Sequence, residues 1–152
     1  MKKMYCGEYE FESGTTCMVI ETWENNNEEW KLIDRDPLEK DFKDSTFENY
    51  NITPSDDCYA FYEITKAEAE ELKEEYEIYN NLLGYVGEEI DFDDINCCFD
   101  TREENVYIEE NIGEANSFSS YTKVYNAYYD YKGSTVYKIF VDDKDIILDI
   151  KF

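Results

Sequence analysis

Thr65-Lys66-Ala67-Glu68-Ala69-Glu70-Glu71-Leu72-Lys73-Glu74-Glu75-Tyr76-Glu77-Ile78-Tyr79-Asn80-Asn81-Leu82-Leu83-Gly84 is the stretch on which the fold turns. Thr65 followed three residues later by Glu68 is a capping box, in which two side chains satisfy orphan amides at a helix start. Gly84 and Gly87 end the run, so the sequence predicts a helix over about 66–84. At ~100° per residue, Ala69, Leu72, Tyr76, Tyr79, Leu83 and Val86 fall on one stripe, expected to pack on a sheet. Glu70, Glu74, Glu77 and Asn81 fall opposite, and Glu71 and Glu75 flank the stripe. Lys73 is the only base after the capping turn, so the exposed side is almost wholly anionic.

Strand patterns surround this helix. Tyr5, Gly7, Tyr9 and Phe11 alternate with Cys6, Glu8 and Glu10. Ser13-Gly14 then turns the chain into Thr16–Trp23, a hairpin with one aromatic face. Asn25-Asn26-Asn27 reads as a loop, Trp30-Lys31-Leu32-Ile33 as a short strand, and Asp36-Pro37 as the start of an irregular polar stretch reaching Asp57. Cys58–Ile64 is apolar, aromatic and short enough for another strand. Beyond the helix, residues 119–131 fit both periods. Tyr121, Tyr125 and Tyr128 suit a helix, Tyr129 and Tyr131 a strand, and the stretch is assigned to a second helix. Tyr137, Ile139 and Val141, then Ile146, Leu148, Ile150 and Phe152, alternate across Asp142-Asp143-Lys144-Asp145, which predicts a C-terminal hairpin over 135–152. Antiparallel strands around one or two helices predict an α+β fold in a single domain spanning 1–152.

Composition narrows the chemistry. The chain of 152 residues holds 38 Asp and Glu against 14 Lys and Arg, a formal net charge of -24, so direct binding to nucleic acid or to an anionic membrane surface is not expected. Acidic disordered chains lack aromatics, whereas this one has 15 Tyr, 9 Phe and 2 Trp and should fold. The charge is concentrated: residues 63–114 carry 18 acids and 3 bases, while residues 115–152 carry 5 of each. With no histidine, the commonest general base and the nucleophilic triads built on it are absent. Cys6, Cys17, Cys58, Cys97 and Cys98 are odd in number and form no C-x-x-C spacing, which reads as a reducing compartment. No apolar run of signal-peptide or membrane-spanning type is present, so a cytosolic location in the host cell is expected.

Carboxylates are the only catalytic groups in quantity, and 38 of them produce pairs by chance. A carboxylate metal enzyme acting on phosphates would also need basic residues near its substrate, which the 63–114 block lacks. Asp91-x-Asp93-Asp94 invites a calcium loop, but the sixth position is Asn96 where Gly belongs and the twelfth is Arg102 where Glu belongs. No enzyme activity, metal or cofactor is therefore expected. Cys97-Cys98 reads as two small hydrophobes rather than a redox pair.

Like charges at i, i+4 cost roughly 0.2 to 0.5 kcal/mol per pair, and Glu70/Glu74 and Glu71/Glu75 are such pairs with little compensating lysine. A surface needing only solubility would mix signs. Carboxylates on successive turns, ~5 to 6 Å apart at Cβ, are spaced comparably to phosphates along a nucleic-acid strand. In size, lack of histidine, tyrosine content and clustered carboxylates, the chain resembles the acidic inhibitors that phages and mobile elements direct at host nucleases, the anti-CRISPR and antirestriction proteins. Tyr107-Ile108-Glu109-Glu110, Gly113 and the tyrosine-rich stretch from Tyr121 are similar to a segment of the ArdA antirestriction family, whose longer tyrosine-and-arginine signature is missing, and no functional residue is carried over from it. The resemblance implies a non-enzymatic inhibitor. Its partner would be a basic nucleic-acid-binding protein, a CRISPR effector nuclease before other host defence nucleases, with neither nucleic acid nor membrane bound directly. Glu70, Glu71, Glu74, Glu75, Glu77, Glu88, Glu89, Asp91, Asp93, Asp94, Glu103 and Glu104 are the expected phosphate substitutes. An immunity protein against a basic toxin nuclease and a carboxylate-dependent metal enzyme are the alternatives.

Overall fold

The computed structural model describes residues 1–48, 50, 52–54, 60–99, 106–112, 123–129 and 135–152. Its strands form two antiparallel four-stranded sheets, and the class is α+β, as the alternating patterns require. The first sheet has the order β3-β2-β1-β4, with β1 at Lys2–Glu10, β2 at Thr16–Asn26, β3 at Glu29–Pro37 and β4 at Tyr62–Ile64. The second is a meander, β5-β6-β7-β8, with β5 at Val106–Glu110, β6 at Lys123–Tyr129, β7 at Tyr137–Val141 and β8 at Ile147–Lys151. Among the described residues the α-helices are α1, Lys66–Leu83, and α2, Phe92–Cys97. The chain divides into two compact units, Met1–Tyr76 and Glu77–Phe152.

In the first unit, β1 and β2 pair with Tyr9 opposite Cys17 and Cys6 opposite Ile20, so each strand's alternate residues share a face. One face is aromatic, as predicted. Tyr9, Cys17 and Val19 are buried there with Phe47, and Phe11, Phe42, Tyr50 and Phe61 pack around them. The Tyr9 ring lies 5.3, 5.1 and 4.9 Å from Phe47, Tyr50 and Phe61. A side chain at Gly7 would overlap the Phe61 ring, so this strand position tolerates only glycine. The opposite face, with Cys6 and Ile20, packs with Ile64, Leu38 and Ala69, and with Leu72 and Tyr76 of α1.

Glu21, in the middle of β2, is fully buried. It accepts hydrogen bonds from Arg35 Nε at 2.7 Å, the Tyr9 hydroxyl at 2.8 Å and Trp23 Nε1 at 3.2 Å. Arg35 also donates to the carbonyls of Tyr50 at 2.7 Å and Phe47 at 3.4 Å, tying the stretch after β3 to the sheet. Burial, and then the adjacent Glu21 carboxylate, push the Tyr9 phenol well above its ordinary range.

The loop expected at 25–27 is smaller than predicted. Asn25 and Asn26 belong to β2, and only Asn27 and Glu28 connect it to β3, with φ of 54° and 70°. Two successive positive φ values match the strand twist of a two-residue hairpin, a geometry asparagine tolerates well. The predicted strand at 58–64 is β4 alone; Cys58 and Tyr59 lie outside the described residues.

The second helix expected at 119–131 is corrected: Lys123–Tyr129 is a strand, and Tyr121 and Tyr131 lie outside the described residues. β6 is a central strand, and Val124, Tyr125 and Ala127 are all buried. Burial on both faces removes the polar alternation by which a half-exposed strand is recognised. The predicted C-terminal hairpin is β7 and β8, closed by Asp142 Oδ1, which accepts from the Lys144 and Ile146 amides at 2.8 and 2.9 Å.

Helix α1 matches its predicted bounds within a residue, and its capping box is formed. Glu68 Oε2 accepts from the Thr65 amide at 2.7 Å and Thr65 Oγ1 from the Glu68 amide at 3.2 Å. The predicted stripe packs through Ala69, Leu72, Tyr76, Tyr79 and Leu83 but omits Ile78 and Leu82. Ala69 is buried in the first unit's core, but in the second unit Ile78 and Leu82 are the buried helix residues, and Tyr79 and Leu83 only flank them. Val86 lies beyond the helix and is 40% exposed. One stripe drawn over 18 residues cannot describe a helix that contributes to two cores.

Candidate partner-binding surface

Ten of the predicted carboxylates lie on described segments, while Glu103 and Glu104 lie outside them. In the first unit, Glu70, Glu71 and Glu74 of α1 are exposed and Glu75 is half-buried. Among the described residues, Glu70, Glu71 and Glu74 have no ion-pair partner. The lysine between them, Lys73, turns instead to Asp36 at 3.1 Å. The anionic side of the helix is thus left uncompensated by the one base its sequence supplies beyond the capping turn.

In the second unit, Glu77, Glu88, Glu89, Asp91 and Asp93 are exposed and Asp94 is half-buried. Residues 87–90 are held by backbone hydrogen bonds. The Gly87 amide donates to the Ile147 carbonyl at 2.8 Å, the Ile147 amide to the Glu88 carbonyl at 2.9 Å, and the Ile90 amide to the Asp145 carbonyl at 2.7 Å. Glu88 and Glu89 therefore project from backbone pinned to the β8 end of the second sheet.

The acidic run from Asp91 to Asp94 has a local structural role that its sequence did not disclose. It opens α2: Asp91 is the N-cap, its Oδ1 accepting from the Asp93 amide at 2.9 Å, and Asp93 and Asp94 occupy the first turn. Carboxylates there oppose the positive end of the helix dipole. Ile95 buries behind them. Asp94 also raises the Tyr85 phenol above its ordinary value, the largest influence on that group. Among the described residues, no group of three or more Cys, Asp and Glu is arranged to hold a metal ion.

Sequence reasoning missed a groove in the first unit, lined by residues of β4 and of the first half of α1. Tyr62, Glu63, Ile64, Glu68, Leu72 and the pair Glu71 and Glu75 line it. The free cysteines are mostly packing groups: Cys6, Cys17 and Cys98 are buried, and burial pushes Cys17 and Cys98 up to about 11, while Cys97 is exposed. Among the described residues, no helix is long and apolar enough to cross a membrane. Comparison with protein-family models, with curated proteins and with solved structures gives no significant match.

Proposed function

We propose that the protein is a non-enzymatic inhibitor that occupies the basic nucleic-acid-binding groove of a nuclease, a CRISPR effector first among such targets, and excludes DNA or RNA by imitating its charge. The observation that carries this reading is the uncompensated row Glu70, Glu71 and Glu74 on α1, exposed while the neighbouring Lys73 pairs elsewhere. Like charges held on adjacent turns cost helix stability. A partner rich in Arg and Lys turns that cost into charge-assisted hydrogen bonds when it docks. The fixed backbone at 87–90 supports the same reading for Glu88 and Glu89, because groups already in place lose less freedom on binding. Electrostatic steering would give fast association that slows as salt is added.

The test is a competition assay. Purified CRISPR effector ribonucleoproteins of several types, each with labelled target DNA or RNA, are titrated with the protein. The reading predicts that at least one effector loses its nucleic acid, that raising the concentration of the labelled nucleic acid restores its binding, and that inhibition weakens with salt. Effectors that all retain their targets, or inhibition indifferent to competing nucleic acid, would exclude this mechanism.

A further inference from the structure

We propose that two copies of this chain pair edge to edge through β3, antiparallel about a two-fold axis between Leu32 and Ile33, joining their first sheets into one. The inference is independent of the inhibitor reading. β3 spans nine residues, Glu29–Pro37, and among the described residues it pairs on one side only, with β2. Its other side is the longest open edge of the two sheets: β4, at the opposite edge of the first sheet, has three residues, and β5 and β8, at the edges of the second, have five each. An open edge presents a row of backbone donors and acceptors to any further strand.

The side chains along this edge favour one such strand. Leu32 stands opposite Trp23 and Asp34 opposite Thr22, so Ile33 is an extra residue, a bulge. Thr22 and Trp23 point to opposite faces, so the bulge brings Asp34 onto the face of Lys31, which stands opposite Glu24. Without the bulge, residues three apart would lie on opposite faces. A two-fold axis normal to the sheet pairs only residues that share a face, and Lys31 and Asp34 now meet that condition. In the paired sheets Lys31 of each copy falls opposite the partner's Asp34, twice over. The centre between them is apolar, formed by half-buried Leu32 and by Ile33, which is 43% exposed. Lys31 and Asp34 are both exposed, and among the described residues neither has an ion-pair partner within its own chain. At the ends, Glu29 falls opposite the partner's Asp36, a carboxylate that Lys73 already pairs in each copy.

Charges on an edge strand guard it against foreign strands. In this register each charge meets its opposite, so the edge accepts its own copy and disfavours a strand without that order of charges. Long-range charge opposes the pairing, because each copy carries a net -24. Salt screens that distant repulsion more than it weakens contacts within the interface, so self-association strengthens with salt, the reverse of binding to a basic partner.

The experiment is sedimentation equilibrium of the full-length protein over a range of concentrations, at low and at high salt. The wild type should pass from monomer to dimer as concentration rises, with a lower dissociation constant at high salt. Lys31→Asp and Asp34→Lys each set like charges opposite one another at both symmetric positions, and each should weaken dimerisation at least about tenfold. Mixed in equal amounts, the two variants should dimerise again, because every cross-strand pair in the mixed dimer is of opposite charge. A wild type monomeric under all these conditions, variants that dimerise as tightly as wild type, or folded variants that do not recover on mixing would overturn the inference. Should either variant not fold by circular dichroism, hydrogen exchange of the wild type decides: the β3 amides should gain protection as concentration rises, and protection gained only in β5 or β8 would place the interface elsewhere and overturn it.

Discussion

At the scale of single residues, the most consequential group is Glu21, an acid with no exposed surface that accepts from Tyr9, Trp23 and Arg35. In sequence it sits in Val19-Ile20-Glu21-Thr22-Trp23 and reads as an ordinary strand residue, because its partner Arg35 stands 14 positions away on another strand. Removing one member of a buried pair leaves the other charge uncompensated, at about 3–5 kcal/mol. Glu21→Ala should therefore lower the urea midpoint sharply, and Glu21→Leu with Arg35→Met should recover much of the loss; a single mutant within about 1 kcal/mol of wild type would contradict this account of the network. Glu39 is the opposite case. Burial, reinforced by the charges of Glu8 and Asp41, raises its carboxyl above the ordinary range. The folded state thus holds this proton more tightly than the unfolded chain, so its contribution is most favourable below the ordinary carboxylate pKa and is lost as pH rises through the raised value. Glu39→Gln should stabilise the protein at pH 7, with the gain vanishing in mildly acidic buffer; thermal denaturation at the two pH values checks it, and a gain independent of pH would rule out the ionisation as its cause.

At the scale of elements, what could be read from sequence was what local chemistry decides. Thr65 and Glu68 mark the start of α1 because both halves of the capping box lie within four residues, and the structure forms both hydrogen bonds. Thr65→Ala should cost about 0.5–2 kcal/mol by denaturation and reduce helicity at that end; an unchanged midpoint would mean that neighbouring packing alone fixes the helix start. The C-terminal hairpin was equally plain, with Ile139 and Ile150 facing one core. β6 was not, since its burial on both faces erased the alternation, and tyrosine spacing then favoured the wrong period. The packing of α1 was half visible. Ala69 lay on the expected stripe, but the burial of Ile78 and Leu82 depends on a second core assembled from α2 and from the strands of the second sheet.

At the scale of the whole molecule, the candidate surface was legible because exposed charge needs no tertiary contact to be recognised. The 63–114 block carries 18 acids, and eight of the ten described candidates are exposed. Two features were hidden in the sequence. The diversion of Lys73 to Asp36 and the groove at Tyr62 and Leu72 both join residues from α1 to the first sheet, and neither is implied by helix periodicity. Conversely, Asp91 carries a cap as well as a charge, so its loss would disturb α2 and cannot by itself report on a partner. The most direct measurement uses positions without such a role. Glu70, Glu74 and Glu77 are exposed on α1, and all three are reversed to lysine in the effector competition assay, with circular dichroism and the denaturation midpoint measured on the same sample. The account predicts a folded protein whose inhibition falls at least about tenfold, since three contacts change from attractive to repulsive. A folded triple mutant that inhibits as well as wild type would contradict it.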